Sequence, residues 1–359
     1  MKYNSSISIN GRYIDISSPT YFVADIASNH NGDLSIAKEL IWLAKESGAD
    51  AVKFQHFIAD KIVSDFGFKS LDSQSSHQDK WEKSVYETYK EAEFNRDWNE
   101  LLAIEAKHAE IDYFTSPYDI DAVDTIDRFV PAYKIGSGDI TWIKFIEYIA
   151  KLQKPVMIAT GASNMWEVEQ AVGAVIKYNP DIVLMQCNTN YTGNLENFKY
   201  INLNVLKEYA LRYPNMVLGL SDHTPGHATV LGAIALGARV IEKHFTFDNN
   251  QNGPDHAFSM EPATWKEMVD RSRELESALG TGIKKVEENE KNTVVLQRRA
   301  VRVKCDIPLG IELSTEMLEE LRPAPEDAIF PYQKEQIIGK KLKMNKKKGD
   351  YLRFSELED

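Results

Sequence analysis

Apolar and polar residues alternate along most of the chain in a pattern that repeats eight times between residues 21 and 279. Each repeat begins with a short apolar run of strand length. After a polar loop it continues into a segment whose apolar residues have helical spacing. In the first such segment, Leu34, Ala37, Leu40, Ile41 and Ala44 follow this spacing. The pattern therefore predicts eight strand–helix units in about 260 residues.

These units are predicted in a regular order, with a long insertion from Asp60 to Tyr89 after the second strand. The predicted strands are the runs YFVADI, ADAVKFQ, IDYFTSP, AYKIGSG, PVMIATGA and IVLMQCN, followed by Val217–Leu220 and Val240–Ile241. The predicted helices are Leu34–Glu46, Phe94–His108, Ile120–Arg128, Ile143–Leu152, Trp166–Tyr178, Asn202–Tyr213, Gly226–Leu236 and Pro262–Leu279. Eight such units predict an α/β fold, the (β/α)₈ TIM barrel.

A doubly wound open sheet is the alternative arrangement of alternating strands and helices. Folds of that type usually carry a glycine-rich phosphate loop, GxGxxG, directly after the first strand. Here the corresponding segment, residues 24–32, reads ADIASNHNG and lacks this glycine spacing. The sequence therefore favours the closed barrel.

Three further segments lie outside the repeat. Residues Ile7–Ile16 alternate around Asn10-Gly11, which predicts a hairpin with a type I′ turn covering one end of the barrel. A charged run at 284–292 predicts a linker, and the remainder predicts strands, one short helix and a final hairpin at 342–357. We expect a barrel domain with its hairpin at residues 1–284, a linker at 285–294 and a small α+β domain at 295–359.

The charge of the chain limits its partners. It has 54 acidic against 42 basic residues and a net charge of −12, which argues against binding to nucleic acid or an anionic membrane. No apolar run reaches membrane-spanning length, and the N-terminus does not resemble a signal peptide. The two cysteines, Cys187 and Cys305, suggest no disulfide framework. We therefore expect a cytoplasmic protein.

In a TIM barrel the catalytic groups lie where strands end and loops begin. The predicted strand ends and the loops after them carry Asp25, Lys53, Gln55, Ser116, Lys134, Ser137, Thr189, Tyr191, Ser221, His223 and His244. Lysines beside hydroxyl groups and glycine turns suit a phosphorylated, carboxylated anion. This end of the barrel is thus the candidate substrate site, although a buried lysine can also be an ion-paired structural residue.

Two histidines, His223 and His244, end the last two predicted strands. Each alone could be a structural histidine, but an imidazole pair at neighbouring strand ends, followed by GPDH at 253–256, favours a divalent metal. Asp222 could be the residue that orients His223. A metal that polarises an aldehyde beside a bound enol phosphate would support formation of a carbon–carbon bond.

Six motifs, in order and spacing, resemble those of the sialic acid synthase family, the phosphoenolpyruvate-dependent synthases of nine-carbon nonulosonic acids. They are ADIASNHNG at 24–32, GADAVKFQ at 48–55, YKIGSG at 133–138, GLSDHTPG at 219–226, EKHFT at 242–246 and GPDHAFSMEP at 253–262. The C-terminal segment is similar to the antifreeze-like (SAF) domain of that family. The family usually has glutamate where this chain has Asp25.

The resemblance implies roles for individual residues. The implied metal ligands are His223 and His244, binding Mn²⁺ or Mg²⁺. The implied phosphoenolpyruvate-binding residues are Lys53, Lys134, Ser137, Thr189, Tyr191 and Ser221. Asp255 would contact the amino sugar, and Arg322 would reach from the antifreeze-like domain into the partner's barrel in a domain-swapped homodimer. Gln55 and Ser116 are further candidates for substrate binding.

The implied reaction is a metal-dependent condensation catalysed by a carbon–carbon bond-forming transferase. Phosphoenolpyruvate would combine with N-acetylmannosamine or a 2,4-diacetamido hexose, and phosphate would be released. Two other functions remain possible from the sequence: a Schiff-base aldolase acting through Lys53 or Lys134, and a non-catalytic carbohydrate-binding or ice-binding protein.

Overall fold

The computed structural model describes residues 2–71, 78 and 81–359, and the chain divides into two compact units. The first, Met1–Gly280, contains the N-terminal hairpin and the barrel, and the second, Thr281–Asp359, is the C-terminal part. The division falls slightly before residue 284, the predicted end of the barrel domain. Residues 72–77 and 79–80, within the predicted insertion, lie outside the described residues.

The first unit alternates strands and helices as the sequence predicts. Its strands are β1 (Ser6–Ile9), β2 (Arg12–Asp15), β3 (Tyr21–Ala27), β4 (Ala51–His56), β5 (Asp112–Pro117), β6 (Tyr133–Ile135), β7 (Val156–Ala159), β8 (Ile182–Cys187), β9 (Val217–Asp222) and β10 (Ala238–His244). Its helices are α1 (Leu34–Glu46), α2 (Ala59–Ile62), α3 (Asp65–Ser70), α4 (Val85–Glu91), α5 (Asn99–His108), α6 (Ile120–Ile126), α7 (Ile143–Ala150), α8 (Met165–Ile176), α9 (Val205–Arg212), α10 (Ala228–Ala235) and α11 (Pro262–Leu279).

Strands β3 to β10 form a closed parallel barrel, which confirms the predicted TIM-barrel fold. Every residue of β3, β7, β8 and β9 is buried, because helices cover the outside while side chains fill the interior. The register brings the strand ends together: His244 lies beside Asp25, and Asp25 lies beside Lys53. The candidate residues therefore share one edge of the barrel.

The pairing of β9 with β10 contains one irregularity. Ala238 pairs with Leu218 whereas Val240 pairs with Gly219, so Arg239 is an extra residue in β10. At Gly219, a Cβ atom would lie only 2.6 Å from the carbonyl oxygen of Val240, so the two backbones approach too closely for a side chain. The extra residue is accommodated at the start of β10, and Val240–His244 after it keep a regular register with β3.

The predicted N-terminal hairpin is confirmed. Strands β1 and β2 are antiparallel and joined by a two-residue turn, in which Asn10 and Gly11 have φ values of 46° and 82°. Both values lie in the left-handed region that a type I′ turn requires. Ile7, Ile9 and Ile14 are buried in the same apolar core as the barrel.

Polar contacts show that the hairpin covers the amino end of the barrel. Arg12 pairs with Asp50, which precedes β4. Asp112, the first residue of β5, accepts hydrogen bonds from Asn10 Nδ2 at 2.5 Å and from the Tyr21 hydroxyl at 2.6 Å. The carboxyl end of the barrel is thereby left for loops and chemistry.

The helix ends differ from the predictions mainly where local capping decides them. Helix α8 begins at Met165, one residue before the predicted start at Trp166, because Asn164 and Glu167 form a reciprocal capping box. The insertion after the second barrel strand contains the short helices α2, α3 and α4. Ser64 and Ser84 cap α3 and α4, which are too short for an apolar period to show in the sequence.

The second unit contains α12 (Lys291–Gln297), β11 (Ala300–Val303), β12 (Leu318–Leu321), β13 (Lys341–Leu342) and β14 (Leu357–Glu358). It has its own apolar core, which includes Val301, Val303 and Ile337. Helix α12 crosses the end of the predicted linker. The predicted final hairpin is wrong in detail: β13 pairs with β14, while Lys346 and Tyr351 bridge to β11 and the loop after it.

Within residues 2–71, 78 and 81–359, no helix combines the length and the apolar character that are needed to cross a bilayer.

Candidate active site

Two buried lysines lie at the carboxyl end of the barrel and share one carboxylate. Lys53 on β4 and Lys134 on β6 are 1% and 3% exposed. Lys134 Nζ lies 2.8 Å from Glu242 Oε1, and Lys53 Nζ lies 3.9 Å from the same atom. Lys53 Nζ also donates to Asp25 Oδ2 at 2.6 Å and to Ser116 Oγ at 3.3 Å. The barrel mouth therefore holds two ammonium groups and two carboxylates.

Their surroundings keep Lys53 and Asp25 ionised. Burial alone would lower the pKa of Lys53, but Asp25 and Glu242 outweigh it and the pKa is raised. Burial alone would raise the pKa of Asp25, but Lys53 and His244 outweigh it and the pKa is lowered. Lys53 is therefore an ammonium ion and Asp25 a carboxylate at neutral pH.

Hydroxyl groups and a glycine form a pocket beside Lys134. Gly161 N donates to Ser137 Oγ at 2.9 Å. A Cβ atom on Gly161 would lie 2.2 Å from Thr189 Oγ1 and 2.9 Å from Ser137 Oγ, so only glycine fits. Thr189 Oγ1 is buried and has no hydrogen-bond partner within the described part of the chain. An unpaired hydroxyl in such a pocket is free to bind an oxyanion.

This pocket is continuous with the lysine group. Ser221 Oγ donates to Glu242 Oε1 at 3.1 Å. The Cys187 thiol lies near both Ser137 and Ser221 and so links the two sets of residues, and burial raises the pKa of that thiol. Cys187 and Glu242 are not among the residues predicted to act in the site. The position of Glu242 at the barrel end does follow from the sequence, because it lies two residues before His244 and side chains two apart on a strand share a face.

The two histidines lie side by side at the same mouth. Their ring centroids are 5.4 Å apart, and Tyr191 lies 4.4 Å from His223 and 6.3 Å from His244. Phe258 packs against His244 at 4.9 Å. His223 Nδ1 donates to the carbonyl oxygen of Asn188 at 3.0 Å, since a carbonyl can only accept. The lone pair of His223 Nε2 is therefore free.

The interpretation of Asp222 as the residue that orients His223 is wrong. Asp222 Oδ2 accepts hydrogen bonds from Lys243 at 2.5 Å, from Thr224 at 2.8 Å and from Thr229 at 2.7 Å. The cause is strand alternation: Ser221 and His223 face the barrel mouth, so Asp222 faces the surrounding helices, where it meets Lys243.

The donor set fits a divalent metal. Burial lowers the pKa of His223 and lowers that of His244 to about 3, so both rings are neutral, which is the form that binds metals. His244 Nε2 lies 3.5 Å from Asp25 Oδ2. Imidazole nitrogens beside a carboxylate oxygen are a donor set that divalent metals accept. The described residues form no group of three or more histidine, cysteine, aspartate or glutamate side chains placed to hold a metal, so substrate or water would supply further ligands.

A cavity of about 370 Å³ opens beside these groups and contains three of the predicted substrate residues, Gln55, Tyr191 and Asp255. Gln55 Nε2 donates to Asp25 Oδ2 at 3.0 Å, and Asp255 Oδ2 accepts from Ser28 N at 3.2 Å. Burial raises the pKa of Asp255 to about 6, and the nearby Asp25 contributes to this rise.

Arg322 is the exception among the predicted site residues. It lies on the exposed surface of the second unit, immediately after β12. All the other predicted residues belong to the barrel unit, at or beside its carboxyl end.

A family model and several known proteins match most of this chain. The model of the NeuB family matches residues 40–284. An N,N′-diacetyllegionaminic acid synthase from Legionella pneumophila is 36% identical over 363 residues, covering 99% of this chain and 99% of that protein. The N-acetylneuraminate-9-phosphate synthase of Homo sapiens is 32% identical over 354 residues, covering 97% and 95%.

A solved structure agrees in fold. The crystal structure of an N-acetylneuraminic acid (sialic acid) synthetase from Leptospira borgpetersenii, in complex with citrate, is similar with a TM-score of 0.70. Its sequence identity is 26%, and the match covers 80% of this chain and 95% of that chain.

Proposed function

The chain belongs to the NeuB family, and on that premise we propose that it is a nonulosonic acid synthase. It condenses phosphoenolpyruvate with an N-acylated mannosamine-type sugar, forms a nine-carbon acid and releases phosphate. The observation that carries this proposal is the meeting of Lys53, Lys134, His223 and His244 at one barrel mouth, beside the pocket of Ser137, Gly161 and Thr189.

The lysines and the pocket suit phosphoenolpyruvate, which carries a carboxylate and a phosphate. Lys53 and Lys134 supply positive charge in a site from which water is largely excluded, where charge-assisted hydrogen bonds are strong. Ser137 and Thr189 add hydroxyl groups on the Gly161 side. In the reaction, C3 of phosphoenolpyruvate bonds to the aldehyde carbon, water adds at C2 and the C–O bond to phosphate breaks. The ammonium groups stabilise the negative charge that develops on the departing phosphate.

The residues that would hold a divalent metal, Mn²⁺ in the first place and Mg²⁺ as an alternative, are His223 and His244. The metal would supply Lewis-acid polarisation of the sugar aldehyde. Asp25 orients this region, since its carboxylate lies within 3.5 Å of Lys53 Nζ, Gln55 Nε2 and His244 Nε2.

The alternative of a Schiff-base aldolase is disfavoured by the charge of Lys53. A Schiff base forms from a neutral amine, which requires a lysine of lowered pKa. The pKa of Lys53 is raised by its two carboxylate neighbours despite burial. Borohydride in the presence of substrate is therefore expected to leave Lys53 unmodified.

For the second unit we propose the role implied by the resemblance, an antifreeze-like domain that gives Arg322 to the barrel of a partner subunit. Arg322→Ala should raise the sugar KM by about 10-fold, the loss expected for one charge-assisted hydrogen bond, and leave the phosphoenolpyruvate KM unchanged. A mixed dimer of Arg322→Ala and His244→Ala chains should regain partial activity. An unchanged sugar KM in Arg322→Ala would contradict a contact between Arg322 and the sugar.

The proposed function is tested by release of inorganic phosphate in the presence of manganese. Phosphate should appear only when both phosphoenolpyruvate and an N-acylated mannosamine are present, and mass spectrometry should detect the nine-carbon acid. Excess chelator should abolish the reaction, and added Mn²⁺ should restore it. Full activity in chelator would overturn the metal-dependent mechanism.

A further inference from the structure

The cavity beside the proposed reaction site has a wall that binding of phosphoenolpyruvate does not explain. The segment after β4 and its helices supply Phe57, Ile62 and Tyr89, and Tyr118 follows β5. The ring of Phe57 lies 5.2 Å from that of Tyr89 and 6.1 Å from that of Tyr118. These rings form an aromatic wall of the cavity. Aromatic walls bind apolar groups of a ligand.

The charged groups that line this cavity are acidic. They are Asp139, which follows β6, and Asp255. Burial raises the pKa of each to about 6, and after burial itself Asp139 also raises the pKa of Tyr118. No lysine or arginine occurs among the described residues that line the cavity.

Two described cations next to the cavity lining have carboxylate partners already. Lys61, the neighbour of Ile62, pairs with Asp119 and Asp121. Lys90, the neighbour of Tyr89, pairs with Glu93 at 3.1 Å. A phosphate group on the sugar would therefore face two carboxylates, and like charges at short range disfavour binding.

We propose that this cavity selects an N-acylated sugar whose end remote from the aldehyde is uncharged and carries an apolar substituent, such as a second acylamino group or a methyl group. Asp139 is then a specificity residue that excludes sugar phosphates. This inference rests on the proposed function, because it concerns the sugar side of the same site. Similarity alone does not decide the matter, since relatives of comparable identity are named for a diacetylated product and for a phosphorylated one.

The test compares three sugars in the phosphate-release assay with phosphoenolpyruvate and Mn²⁺. They are N-acetylmannosamine, its 6-phosphate and 2,4-diacetamido-2,4,6-trideoxymannose. The value of kcat/KM for the 6-phosphate should be at least about 100-fold below that for the better uncharged sugar, because its phosphate would lie close to two carboxylates. A 6-phosphate used as well as the uncharged sugars would overturn the inference and leave the synthase reaction standing. Phosphate release with none of the three would overturn the proposed function itself, and this inference with it.

Variants of Asp139 test its part in the selection. Asp139→Asn should reduce the discrimination against the 6-phosphate by about 10-fold, Asp139→Lys should reduce it further, and Asp139→Glu should retain it. The change should appear in the KM of the sugar phosphate and not in that of phosphoenolpyruvate.

The matched control is Asp97→Asn, which removes the same charge from an exposed side chain just before α5, outside the cavity lining. The control should leave the discrimination unchanged. If Asp139→Asn folds with an unaltered thermal midpoint and also leaves the discrimination unchanged, Asp139 is not the selecting residue.

Discussion

The two ends of the barrel differ in how their polar side chains are paired, although Thr20 Oγ1 at the amino end also lacks a hydrogen-bond partner among the described residues. At the amino end, the carboxylates of Asp50 and Asp112 are paired with groups of the hairpin and of β3. At the carboxyl end, Thr189 Oγ1, Glu242 Oε2 and His244 Nδ1 are buried without a hydrogen-bond partner in the described structure. Each such group costs about 1–3 kcal/mol.

The difference shows what each end is built for. Paired groups beneath an apolar hairpin stabilise the closed barrel, whereas unpaired groups remain available to a ligand. Changes at the carboxyl end should therefore affect activity more than stability, and changes at the amino end should do the reverse.

The largest effect is expected at the imidazole pair. His223→Ala or His244→Ala should lower kcat by about 100-fold or more, because each removes a ligand of the group that polarises the aldehyde. Circular dichroism and the thermal midpoint should remain close to those of the parent protein. His108→Ala, at the exposed end of α5, is the control and should retain full activity. Comparable activity of all three variants would contradict the assignment of the carboxyl end.

The converse experiment removes apolar packing at the amino end. Ile9 is fully buried, so Ile9→Ala should lower the free energy of unfolding by about 2–5 kcal/mol. The kcat measured well below the unfolding transition should not change. Tyr13→Ala on the same hairpin, where the side chain is 73% exposed, should have little effect on either quantity. A loss of kcat in Ile9→Ala would show that the two ends are not independent.

A smaller effect is expected from closing the hydroxyl pocket. Gly161→Ala places a methyl group against Thr189 Oγ1 and Ser137 Oγ, so the KM for phosphoenolpyruvate should rise by about 10-fold or more while the sugar KM changes less. Gly173→Ala in α8, whose added methyl group would contact nothing within 4 Å, is the matched control and should be neutral or stabilising. An unchanged KM for phosphoenolpyruvate would place the anion elsewhere.

The smallest effect concerns pH and Asp255. Its pKa is raised to about 6 by burial, so the folded protein binds a proton that the unfolded chain releases near pH 4. The stability contributed by this proton is complete below about pH 4 and is lost as the pH rises through about 6. Relative to Asp255→Asn, the parent protein should lose unfolding free energy between these values. Parallel pH profiles, measured by urea unfolding, would contradict the buried placement of this carboxyl group.

The sequence alone predicts the barrel and most of the candidate residues at its carboxyl end. Alternation and helical spacing predict β3 to β10, and strand order then brings Lys53, Lys134, His223 and His244 to one edge. The hairpin was predictable because Asn10-Gly11 has a strong local preference for the type I′ turn.

Other features depend on contacts between distant segments. The pairing of Asp222 with Lys243 follows from the register of β9 and β10, which the sequence does not reveal. Glu242 can contact Lys134 only in the closed barrel, because the two residues lie on β10 and β6 and are 108 residues apart in the sequence. The aromatic wall depends on how the insertion folds back after β4, and its helices are too short for periodicity to show.

The extra residue in β10 has a consequence for how the protein tolerates insertions and deletions. Ala238 and Val240 pair with the consecutive residues Leu218 and Gly219, so loss of Arg239 would leave a regular ladder and would not change the register of Val240–His244. A residue lost after Val240 has no bulge to absorb it, and because side chains alternate along a strand, such a loss would turn His244 away from the barrel interior. A single codon deleted at the start of β10 would thus be harmless to the metal-binding residues, whereas one deleted two positions later would be damaging.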